Sequence, residues 1–264
     1  MKTLFYILTV IALSVSCQKV IDVDLNETNP KIVIEANYTA EDSTVRLRLS
    51  LTTSYFEPIS TSSLNGATVT ITDANGVVTP LTGIGSGDYI LANYIPAFNT
   101  SYRMTVLHDG EIYNTTSKLS NIVTLKPITY EYSPGFFGLG EGYFCYQNYD
   151  DPIGVSNFYI AVISKNGYER SKVTDFILGD DRLTDGNSVS RPLFIDSLFV
   201  IGDTIDIELR SIDEKIFKYY SEIQTIAGAG QATAAPSNPI AIWDNGALGY
   251  FSAYGNSRET VVIL

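Results

Sequence analysis

Alternation of apolar and polar positions is the dominant pattern along the chain. In VRLRLSL (45–51), Val45, Leu47, Leu49 and Leu51 are separated by Arg46, Arg48 and Ser50. That is the period of a strand with one dry face and one wet face. KIVIEANY (31–38), ATVTITD (67–73) and TSYRMTVL (100–107) follow the same rule, with turn residues between them at Asn75-Gly76 and Asp109-Gly110. Asn-Gly and Asp-Gly mark hairpins, because their turns need residues that tolerate positive φ. Residues 31–126 therefore read as about seven strands with turns every 8–12 residues, the spacing of an immunoglobulin-like or transthyretin-like sandwich.

Residues 127–264 read as a second β-rich domain, with a boundary near Lys126-Pro127. Strand signals there are ITYEYS, GYFCYQNY, NFYIAVIS, RPLFIDSLFVI and TIDIELRSI, and the chain closes on GALGYFSAYG and ETVVIL, expected as two final strands. One segment changes period. Ile216, Tyr219, Tyr220, Ile223 and Ile226 recur at helical spacing, with Asp213 placed as N-cap and Gly228 as the stop. The expected fold class is thus mainly all-β, with one helix near 213–226.

The amino terminus departs from all of this. Lys2 precedes an apolar run from Leu4 to Val15, interrupted only by Thr9 and Ser14. The run is shorter than the roughly 20 residues a spanning helix needs, so it reads as a signal-peptide core over residues 1–16. Ser16 then precedes Cys17 where a lipoprotein signal peptidase would cut, although Ser14 stands where that motif usually has leucine. Cys17 is the expected lipidation site, followed by an acidic linker to Pro30. Two or three acyl chains exceed what stable attachment requires, so the expectation is a membrane anchor and not a span.

Composition sharpens this in one respect. The whole chain carries 17 basic and 29 acidic residues, and loss of Lys2 with the signal would take the charge from −12 to −13. Such a body repels phosphate backbones and anionic head groups, which argues against nucleic-acid binding and against electrostatic membrane attachment. With Cys17 acylated, Cys145 has no partner for a disulfide and reads as a buried, inert thiol.

Candidate chemistry is sparse. His108 is the sole histidine and sits before the Asp109-Gly110 turn, expected as an exposed hairpin residue. No nucleophile elbow, zinc-protease motif or phosphate-cradling glycine loop occurs, so no catalytic residue and no cofactor is assigned. The richest set of oxygen donors is Asp180, Asp181, Asp185 and Asn187, around Gly186, a candidate loop for a hard cation such as calcium. Solvated loop residues are the plainer reading of the same four. Phe136, Phe137, Trp243 and Tyr250 are the aromatics picked as candidate ligand platforms, although core packing is the commoner fate of any one of them.

Four features recur together: the cysteine followed by VIDVDL, the early strand IVIEA, the segment FKYYSEIQ, and the tail SNPIAIWDNGALGYFSAY. In these the chain resembles domain-of-unknown-function family 4249, Bacteroidetes outer-membrane lipoproteins encoded beside TonB-dependent receptors. The resemblance covers nearly the whole chain after Cys17, and its most specific piece is Asn238-Pro239 followed by Gly246-Ala247-Leu248-Gly249-Tyr250-Phe251. It implies a non-enzymatic lipoprotein held in the outer membrane, with a TonB-dependent nutrient receptor as partner and the protein as its accessory binding subunit. A structural or adhesive cell-envelope protein is the alternative, and a glycan-active enzyme the third. Which ligand is bound and which membrane face is occupied stay open.

Overall fold

The computed structural model describes residues 30–52, 62–135, 140–193, 197–228 and 239–264. The first half holds β1 (Ile32–Thr39), β2 (Thr44–Leu51), β3 (Ser62–Ser63), β4 (Thr68–Thr72), β5 (Val78–Pro80), β6 (Thr82–Gly85), β7 (Asp88–Leu91), β8 (Thr100–His108) and β9 (Glu111–Leu119). The second holds β10 (Leu125–Ser133), β11 (Gly142–Asp150), β12 (Phe158–Lys165), β13 (Tyr168–Glu169), β14 (Ile177–Asp180), β15 (Ser188–Pro192), β16 (Thr204–Ile212), helix α1 (Glu214–Gly228) and β17 (Leu248–Val262). The fold is mainly β, as the alternation predicts.

Three sheets form. A long one runs β13-β12-β16-β17-β1-β2-β7-β6, with β14 beside β12 and β3 beside β2. Two small ones run β5-β4-β8-β9 and β10-β11-β15. The side-chain period of 2 then decides which face of the long sheet carries what. Along β17, Phe251 and Ala253 enter a core with Ile34, Ala36, Tyr38, Val69, Met104 and Val106. On the same side further along, Val261 and then Ile263 enter a second core with Leu125, Cys145, Tyr149, Ile205 and Ile207. The two small sheets therefore lie side by side on one face of the long sheet. The alternate residues of β17 face α1: Tyr250 stands 5.8 Å from Tyr219 and 5.6 Å from Tyr220, ring centroid to ring centroid.

β17 is the strand that joins the two halves. Its first part pairs in parallel with β1, from Val33↔Leu248 to Thr39↔Tyr254. Its last part pairs antiparallel with β16, from Ser211↔Gly255 to Thr204↔Val262. Two final strands were expected here, and one continuous strand of 15 residues replaces them. The reason is the change of partner at Tyr254/Gly255, which keeps the backbone extended where a turn between GALGYFSAYG and ETVVIL would otherwise fall. The boundary expected near Lys126-Pro127 lies inside β10, and the long sheet draws strands from both sides of it.

Local signals behave largely as their chemistry requires. Asp109 and Gly110 both adopt positive φ, 50° and 84°, which the tight β8–β9 hairpin needs. In the Asn75-Gly76 turn only Gly76 does so, at 81°. There Asp73 Oδ1 accepts from Asn75 N and Val77 N, each at 2.9 Å, so a side-chain cap closes the turn.

Asp213 caps α1 in the expected way, its Oδ1 accepting from Ile216 N at 2.9 Å. Its Oδ2 accepts from Ser117 Oγ at 2.6 Å and Lys118 N at 2.9 Å, which ties the helix start to β9. Asp213→Ala should therefore cost more than a simple cap, about 2 kcal/mol or slightly above. Thermal unfolding is the check, with an expected fall in Tm of several degrees.

Asp203 is a second buried anchor. Its carboxylate meets Lys165 Nζ at 2.8 Å, Asn166 Nδ2 at 2.8 Å and Val200 N at 2.8 Å. Burial alone would raise its pKa, but these three donors together hold it below the ordinary 3.8. A lowered folded-state pKa contributes stability above the unfolded value that disappears as pH falls through the folded one. The Tm difference between wild type and Asp203→Asn should thus be greatest near neutrality and shrink below about pH 4. Denaturation scans from pH 7 to pH 2 would show it.

Candidate functional site

Two regions that combine shape with polar chemistry involve the residues expected to form a site. The first lies on the α1 face of the long sheet. Val33, Glu35 and Asn37 alternate outward along β1, and the register sets Glu35 against Tyr250 on one side and Arg48 on the other. A groove of about 620 Å³ runs between Lys31 and Val33 of the β1 end, Tyr219 and Ile223 of α1, and Ile240 and Leu248. A second, of about 340 Å³, is lined by Asn37, Arg46, Arg48, Asp88 and Tyr250. Glu35 borders both. Each volume lies in the range of small-molecule sites, and the second groove mixes two guanidinium groups with carboxylates and an aromatic face.

The aromatic candidates separate sharply here. Tyr250 is half-buried, and its hydroxyl accepts from Asn37 Nδ2 at 3.2 Å at the groove wall. Trp243 belongs to the core: it is 2% exposed, and Nε1 donates to the Ile34 carbonyl at 2.9 Å. As a ligand platform it is ruled out by that burial. Phe136 and Phe137 lie outside the described residues, as does Cys17.

The second region is acidic. β14 runs antiparallel to β12, with Phe158 opposite Asp180. This register lays the loop after β11 against the loop between β14 and β15. Asp151, Asp181 and Asp185 converge there, each offering one carboxylate oxygen within 4.8 Å of the others. Asp181 Oδ2 accepts from Asn157 N at 2.7 Å, and Asp185 Oδ1 from Gly154 N at 2.6 Å. Asp151 Oδ1 takes the Tyr159 hydroxyl at 2.5 Å.

Burial raises the Asp151 pKa first, and the charges of Asp181 and Asp185 push it the same way. Of the four oxygen donors picked from the sequence, the structure brings together Asp181 and Asp185. Asp180 is instead occupied by Arg182, Nε to Oδ2 at 2.9 Å, which lowers its pKa. Asn187 takes part through its backbone, its carbonyl accepting from Asp151 N at 2.9 Å.

Asp151 is the residue that sequence reasoning missed. Asp150-Asp151-Pro152 reads as a loop, and nothing in its spacing from Asp181 and Asp185 foretells the β12–β14 pairing that joins them.

The remaining reactive groups are structural. Cys145 is fully buried, and loss of solvent pushes its thiol up to about 12. It is therefore an unionised core residue, as its alternation implies. His108 differs from expectation: its side chain is only 13% exposed, with Nε2 3.5 Å from Asp109 Oδ2. Its Nδ1 is buried without a partner. The ring is thus largely buried beside the turn and not exposed on it.

The family described as a domain of unknown function, DUF4249, matches residues 18–260 of the chain. No curated protein matches the sequence.

Proposed function

Since the chain belongs to the DUF4249 family, we propose that it is a non-enzymatic lipoprotein anchored in the outer membrane through Cys17, serving a TonB-dependent nutrient receptor as an accessory binding subunit. The observation that carries the binding reading is where the tether meets the body. Lys31, at the foot of β1, lines the larger groove. Residues 17–30 can extend at most about 50 Å, so an acyl chain on Cys17 keeps that groove within that distance of the bilayer. A receptor in the same membrane is within reach of such a surface, and a freely diffusing periplasmic partner gains nothing from it.

Charge agrees with this arrangement. A body at −13 is repelled by anionic head groups, so the lipid and not the surface must supply attachment. Among the described residues no helix is long and apolar enough to cross a membrane.

The test is recovery of the full-length, lipidated protein from outer membranes in mild detergent. A TonB-dependent receptor should co-purify with it. Quantitative recovery with no receptor would count against the accessory role and favour the structural or adhesive reading.

A further inference from the structure

We infer that Asp151, Asp181 and Asp185 form a calcium site that clamps the loop after β11 to the loop between β14 and β15. Three carboxylates converge within 4.8 Å, and none of them makes a salt bridge to a basic residue among the described residues. Arg182, the nearest cation in sequence, is engaged with Asp180 at 2.8 Å.

The independent pointer is Asp151 itself. It is only 4% exposed, and while Oδ1 is satisfied by Tyr159, Oδ2 is buried without a partner in hydrogen-bond geometry, the Gly186 N–H being the backbone donor near this carboxylate. A carboxylate oxygen that is buried, unpaired and placed beside two further carboxylates lacks a positive ligand. Thr184 Oγ1, in the same loop, is likewise buried without a partner.

The donor set selects the metal. All three side-chain ligands are hard oxygens, with no histidine or thiol in the cluster, which disfavours zinc and copper. Magnesium demands near-ideal octahedral geometry and dehydrates reluctantly, whereas calcium accepts irregular oxygen sets contributed by loops. Asp185 is exposed, so water can complete the six to eight ligands, roughly, that calcium takes.

The probes are calcium, magnesium and terbium, used on the full-length protein in detergent after chelation. Calcium should raise Tm with a Kd on the order of 10⁻⁴ to 10⁻³ M, the range of extracellular modules. Terbium emission should be sensitised on tyrosine excitation, because the Tyr159 hydroxyl touches Asp151, and calcium should displace it. Asp151→Asn keeps an acceptor for Tyr159, and Asp185→Asn alters an exposed residue, so both variants should fold. Each should weaken calcium binding about tenfold or more. Asp180→Asn should leave it unchanged. No calcium response in the wild type, or an undiminished one in Asp151→Asn and Asp185→Asn, would overturn the site. An equal response to magnesium would overturn the assignment to calcium.

Discussion

Gly249→Ala is expected to destabilise the protein by about 3 kcal/mol or more and to lower Tm by roughly 6–12 °C. Gly249 sits at φ 97°, where an L side chain is strained whatever the surrounding space. Space is also lacking, because a Cβ there would run into the Ile34 carbonyl oxygen, with the Ile34 carbonyl carbon at 2.8 Å and nitrogen at 3.0 Å. Those are backbone atoms of a central strand and cannot rotate away. The contact falls at the start of the β1–β17 pairing, on which the union of the two halves depends. Circular dichroism melts of wild type and variant would measure the effect. Gly246→Ala makes a useful comparison: it also has positive φ, 75°, but nothing lies within 4 Å of its added Cβ, so the loss should be clearly smaller.

The second large effect is expected at Trp243. Trp243→Ala should cost about 3–5 kcal/mol, since it removes a large buried ring from the first core. It also strips the Ile34 carbonyl of its indole donor. Trp243→Phe restores most of the volume and none of the hydrogen bond, so it should cost about 1–3 kcal/mol, the price of one unsatisfied buried carbonyl. Urea unfolding of the two variants separates packing from hydrogen bonding. Equal losses would mean that the indole N–H contributes nothing.

Gly249 and Trp243 converge on a single carbonyl. The glycine leaves Ile34 O uncovered, and the tryptophan then occupies it. This gives a physical reason for Gly249, which the sequence marks only as part of the tail, and for Trp243, which it offers as a platform or a core residue. Periodicity says which way a strand residue points, and Trp243 lies in the connection before β17, where no period applies, so the pattern alone does not choose between a platform and the core.

Elsewhere the pattern was readable to the extent that it was local. The strands, the Asp213 cap and the Asp109-Gly110 turn depend on neighbours a few positions away, so their residues carry the signal. The parallel pairing of β1 with β17 joins segments from opposite ends of the described chain, and parallel partners leave no turn to mark them. The acidic cluster was half legible for the same reason. Asp181 and Asp185 share a loop, whereas Asp151 reaches them only through the β12–β14 register. His108 shows the limit even of a correct turn: Asp109-Gly110 marks the hairpin, but nothing in it marks the burial of the neighbouring ring.

The claim on which the functional proposal rests is attachment through Cys17. Cells expressing wild type and Cys17→Ala, labelled with palmitate and separated into membrane and soluble fractions, test it in one experiment. The wild type should carry label and sediment with the outer membrane, and Cys17→Ala should be unlabelled and soluble. Cys17→Ala that stays with the membrane would contradict the anchor, and with it the placement of the groove beside a receptor.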